Sequence, residues 1–74
     1  MDFDPYQDLA NAIVALAAKD YMKARKRQKR YPEDGRAAQI ITEVRRFFHS
    51  EWYTMLTSMD PDRLLAILEK EVAA

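Results

Sequence analysis

The segment Ile40-Ile41-Thr42-Glu43-Val44-Arg45-Arg46-Phe47-Phe48-His49-Ser50-Glu51-Trp52-Tyr53-Thr54-Met55-Leu56 decides the fold. Its apolar residues fall at 40, 41, 44, 47 and 48 and then at 52, 55, 56 and 59, the spacing of a helix face. At about 100° per residue, one straight helix through the whole stretch would set Glu51 between Ile40 and Val44, inside the buried face. An unpaired carboxylate there is costly, so the spacing predicts a break near Ser50. A serine accepts hydrogen bonds from the open N–H groups of a new helix start, and Glu51 then lies in a first turn, where the helix dipole favours negative charge.

Upstream, Asp4-Pro5-Tyr6-Gln7 carries a capping aspartate, a proline suited to the first helical position and a glutamine three residues after the cap. Phe3 is positioned to staple that start. Tyr6, Leu9, Ala10, Ile13, Val14, Ala17 and Tyr21 form the expected core-facing stripe, while alanines at 10, 12, 15, 17, 18 and 24 allow another helix to approach. The stripe stops after Ala24, but Arg25 to Arg30 are good helix formers, so this helix is expected to outrun its core contact and end at Tyr31-Pro32. Glu33 or Asp34 caps a second helix from about Arg36 to His49, and a short third one runs from about Glu51 to Ser58. Asp60-Pro61-Asp62 repeats the cap-and-proline device and opens a last helix through about Val72, with Leu64, Leu65, Leu68 and Val72 on one face. No period-2 alternation occurs anywhere. The expected fold is all-α, a single domain over residues 1–74 with three main helices and one short one.

Seventy-four residues support only a small core, which favours self-association or a partner. The chain has no cysteine, hence no disulfide and no thiolate metal site. Acids rather than bases begin it, and its longest uncharged run, Leu9 to Ala18, is too short to span a bilayer. A soluble, cytoplasmic protein with no membrane role is expected. Net charge is zero, yet residues 1–18 carry −3, residues 19–46 carry ten bases against four acids, and residues 47–74 carry −3.

The chemistry-bearing residues are sparse. His49 is the only histidine, Gly35 the only glycine, and Asp60 and Asp62 are explained by helix capping. His49-Ser50-Glu51 lie contiguously and do not converge as a triad does. No enzyme, no metal and no cofactor is expected. A helix-turn-helix over the last two segments is disfavoured, because its second helix would present Asp60, Asp62, Glu69 and Glu71 to phosphate. The basic run is the strongest feature: Lys19, Lys23, Arg25, Lys26, Arg27, Lys29 and Arg30, with Arg36, Arg45 and Arg46 beyond it. Lys19, Lys23, Lys26 and Arg30 share one helical face and suit the tracking of phosphates without base readout. The alternative use of the same cations is to complement the helix C-terminus and the acidic last third of the chain. Trp52, Tyr53, Phe47 and Phe48 form an apolar surface wider than one helix needs, most of it expected in the core, with Trp52, Tyr53, Met55 and Met59 as a second candidate surface for a protein partner or a second copy.

Around Arg46-Phe47-Phe48-His49-Ser50-Glu51-Trp52-Tyr53, Leu56-Thr57 and Asp60, with Leu9-Ala10-Asn11-Ala12-Ile13-Val14 and Lys19-Asp20-Tyr21 upstream, the chain resembles short proteins encoded by phages and mobile elements of Gram-positive gut bacteria. That resemblance implies stoichiometric binding, either to nucleic acid or nucleoprotein or to a host protein in the manner of inhibitors of bacterial defence such as anti-CRISPR proteins. The expected function is a non-enzymatic binding protein whose basic helix docks on an anionic partner, with a protein-directed inhibitor or adaptor as the alternative.

Overall fold

The computed structural model describes residues 5–74. The Asp4 cap and the Phe3 staple lie outside the described residues. Four helices follow one another: α1 (Pro5–Arg30), α2 (Gly35–Phe48), α3 (Glu51–Leu56) and α4 (Pro61–Ala73). Among the described residues there is no strand, and no helix is long and apolar enough to cross a membrane. The bundle is all-α with three main helices and a short one, as expected.

Each break has a local cause. Asp34 caps α2 by accepting from the backbone N–H groups of Arg36 (3.0 Å) and Ala37 (3.1 Å). His49 closes the same helix, its own N–H bonded to the Arg45 carbonyl. Ser50 then restarts the chain: its hydroxyl accepts from the Tyr53 N–H at 3.2 Å and donates to the Phe47 carbonyl at 2.7 Å. The predicted break is therefore made by one side chain serving two helix ends. α3 stops at Leu56, two residues before the expected end, because Thr57 turns extended (φ −156°, ψ 153°). Asp60 caps α4 and accepts from the Asp62 N–H at 3.0 Å.

The core is built on the second half of α1. Tyr21, Ala24, Ala37, Ile41, Phe48, Tyr53 and Leu68 form one buried cluster drawn from all four helices. Phe48 and Tyr53 meet edge to face at 5.5 Å, and Phe47 joins them from the half-buried rim. Ala24 and Ala37 belong to this cluster, and their small side chains let α1 and α2 approach closely.

Here the structure corrects the expected stripe. Ala10 and Tyr21 are buried, but Tyr6 and Leu9 are exposed. The helix outruns its apolar core after Ala24, as expected, and at its N-terminal end as well. α2 and α4 both pack on the later turns of α1, where half-buried Arg25 and Gln28 continue the inward face, and six-residue α3 flanks only one side of the earlier turns.

His49 and Asp62 link the end of α2 to the start of α4. The imidazole Nδ1 faces the Arg45 carbonyl at 2.9 Å and Nε2 faces the Asp62 carboxylate at 3.0 Å. Two acceptors suit the doubly protonated ring, and the Asp62 carboxylate first, the Arg45 carbonyl second, raise the His49 pKa above its ordinary value. Both ring nitrogens of the lone histidine are thus engaged within the chain.

Two substitutions probe these features. Ser50→Ala should lower stability by about 1 kcal/mol, a fall in Tm of roughly 4–8 °C for a domain of this size, read by thermal circular dichroism. Tyr53 is fully buried and its hydroxyl finds no hydrogen-bond partner among the described residues. Because an unpaired buried hydroxyl carries a desolvation cost, Tyr53→Phe should leave the urea midpoint unchanged or raise it, by up to ~1 kcal/mol of stability; a clear loss would mean that the hydroxyl contributes a bond of its own.

Candidate functional site

The basic run divides into two groups once the helices are assembled. At about 100° per residue, Lys19, Lys23, Lys26 and Arg30 fall within about 60° of one another, on the side of α1 opposite Tyr21 and Ala24. All four are exposed, and among the described residues none forms an ion pair. They make a cationic stripe about 17 Å long.

Arg25 and Arg27 do not belong to that stripe. Arg25 turns toward α4, where Nε and Nη2 donate to the two Glu69 carboxylate oxygens at 2.8 and 2.9 Å, and Nη1 donates to Gln28 at 2.7 Å. The Tyr21 hydroxyl donates to the same carboxylate, and Arg45 Nη2 from α2 donates to the Tyr21 oxygen at 3.2 Å. Arg27 is paired with Asp34, the cap of α2. Both arginines are therefore occupied by carboxylates of their own chain. Lys29 is exposed to one side of the stripe, and Arg30 lies over the Tyr31 ring, with 5.8 Å from guanidinium carbon to centroid.

Electrostatics follow the same division. The bidentate Arg25 guanidinium, then the Tyr21 hydroxyl, hold the Glu69 carboxyl down at about 2, against a weaker upward push from burial. Burial raises the Tyr21 phenol, the Glu69 bond adds to this, and Arg45 opposes it. Arg27 and the N–H of Ala37 lower the Asp34 carboxyl.

Other surfaces are less suited to an anion. An open groove of about 730 Å³ between α1 and α2 carries Lys23, Arg27 and Arg36 against Asp20, Asp34 and Glu43, so its charges cancel. Arg45 and Arg46 are exposed on α2. No group of three or more His, Asp or Glu stands ready to hold a metal ion among the described residues.

The apolar candidate surface is likewise reduced. Tyr53 is fully buried and belongs to the core, because the restart at Ser50 turns it inward beside Phe48. Trp52, Met55 and Met59 remain exposed. Trp52 and Met55 border a shallow apolar groove with Tyr6, Leu9 and Ile13 of α1, a surface the sequence reading missed because it assigned the α1 residues to the core. The eleven residues 7–17, four of them alanines, were the available signal.

No family model matches the chain, and neither a curated protein nor a solved structure matches it.

The Glu69 cluster has a defined pH signature. Its folded carboxyl pKa lies below the unfolded value, so its contribution is complete above about pH 4.5 and is lost as pH falls toward 2. A shift from 4.5 to about 2 corresponds to about 3 kcal/mol in a shielded pair. With the Glu69 side chain 36% exposed, screening reduces this to ~1–2 kcal/mol. Urea unfolding of wild type and Glu69→Gln should therefore differ by that amount at pH 7, with the gap narrowing below about pH 4.5 and closing only below the folded pKa of about 2; a gap independent of pH would place the effect elsewhere.

Proposed function

We propose that this protein is a non-enzymatic binding module that docks the outward stripe of α1 on the phosphate backbone of a nucleic acid, free or within a nucleoprotein. The observation that carries this reading is the contrast within one helix. Arg25 and Arg27 are neutralised by Glu69 and Asp34, whereas Lys19, Lys23, Lys26 and Arg30 project together into solvent without a carboxylate partner among the described residues. Four cations on a rigid helix edge release counterions when they meet phosphates, and that gain requires no particular base sequence. Long, flexible lysines favour this kind of contact over bidentate recognition of a guanine edge. An origin in a phage or mobile element, which the resemblance implies, suits a small protein that acts by stoichiometric contact.

Fluorescence anisotropy with duplex and single-stranded oligonucleotides, titrated across salt concentrations, tests the proposal. Affinity should fall steeply with salt, and the triple variant Lys23→Glu, Lys26→Glu, Arg30→Glu should flatten the log–log slope by about 3. Arg25→Gln should cost stability without changing that slope. Binding that is absent, or indifferent to salt and to the triple reversal, overturns the reading.

A further inference from the structure

The outward face of α1 changes character along its length. Asp8, Leu9, Ala12, Leu16, Lys19 and Lys23 lie within about 100° of arc and are all exposed, the two leucines at 61% each. In order they read acidic, apolar, basic. Leu9 and Leu16 are seven residues apart, the repeat at which helix pairs mesh, and Ala12 between them leaves room for a close backbone approach. Large apolar side chains exposed on a helix with neighbouring Trp52 and Met55 also exposed form a patch that calls for a cover.

From this pattern we infer that a second copy of the same chain covers the patch, with the two α1 helices antiparallel about a twofold axis between Ala12 and Ile13. A face that runs from acid through apolar to base is complementary to itself only in that orientation. The twofold sets Leu9 against the partner's Leu16, and the reverse contact is generated by the same symmetry. It brings Asp8 within about 3 Å of axial height of the partner's Lys19, so opposite charges flank the apolar centre at both ends. A parallel pairing would instead place acid on acid and base on base. The inference does not rest on nucleic-acid binding, since Lys26 and Arg30 lie beyond the apolar centre.

Light scattering and sedimentation equilibrium on the full chain from about 10 µM to about 1 mM, a range that suits a small interface, test this. The mass should rise from 8.7 kDa toward twice that value. Leu16→Glu should weaken association at least tenfold while circular dichroism keeps the helical signal, because Leu16 is exposed in the single chain. Asp8→Lys and Lys19→Glu should each weaken it several-fold, and the double reversal should recover most of the loss, since the swapped charges again meet across the twofold. A chain monomeric throughout, a dimer indifferent to Leu16→Glu, or a double reversal weaker than both single variants overturns the proposal. So does a monomer that binds vesicles of phosphatidylserine through the same leucines, which would assign the face to lipid. The Lys26→Glu, Arg30→Glu variant should still dimerise while its nucleic-acid affinity falls, which distinguishes the two contacts although they share Lys19 and Lys23.

Discussion

The Glu69 carboxylate is the constraint on which the rest of the structure depends. It accepts two bonds from Arg25 and one from Tyr21, and Tyr21 in turn accepts from Arg45, so a single carboxylate joins α4 to α1 and, through the phenol, to α2. Tyr21 is fully buried, and a phenol there without a partner would cost stability rather than add it. Glu69 satisfies that hydroxyl and at the same time neutralises an arginine that the helix periodicity points inward. The pairing thus adds polar contacts at the edge of the core to the apolar ones that Leu64, Leu65 and Leu68 of α4 make with it.

That internal pairing also sorts the charges. Ten bases fall between residues 19 and 46, and the fold draws on the ones nearest the core. Arg25 is taken by α4 and Arg27 by the α2 cap, which leaves the lysines opposite the core as the unpaired set. Of the α1 cations without an ion pair among the described residues, Lys19, Lys23, Lys26 and Arg30 lie on one straight edge, because a single helix holds them in register, and Lys29 lies to one side. The internal role of the basic run is thus shown for Arg25 and Arg27, and the proposed docking face is confined to residues outside those pairs.

Helix limits and caps were legible in the sequence where a single residue decides them. Ser50, Asp34 and Asp60 each supply the oxygen that a helix start needs, and the cost of burying Glu51 located the break between α2 and α3. What periodicity could not supply was which part of a stripe another helix would cover. Tyr6 and Leu9 repeat with the same rhythm as Val14 and Tyr21, yet six-residue α3 flanks only one side of the early turns. Likewise the inward bend of Arg25 depends on Glu69, forty-four residues away, and no local pattern encodes that distance. Tyr53 was misread for a related reason: a restart at Ser50 rotates the following residues, so neighbours Trp52 and Tyr53 end on opposite sides of the surface.

The proportions of the molecule connect these points. At 26 residues α1 is about twice as long as α2 or α4, and the bundle extends 46 Å along its longest axis but only 25 and 18 Å across. A helix this long cannot be buried along its whole length by two partners of half its size. Its uncovered turns must carry either charge or a second contact, and the sequence places one of each on the same face: lysines where α2 and α4 support the helix from behind, leucines and alanines where α3 alone flanks it. Rigid backing would suit the basic half for the proposed contact with a stiff polyanion, since the backbone there has little freedom left to lose on binding. The apolar half has the opposite need, because it gains order and buried area only when another surface closes over it. A division of labour along one helix follows from the mismatch in helix lengths, before any partner is specified.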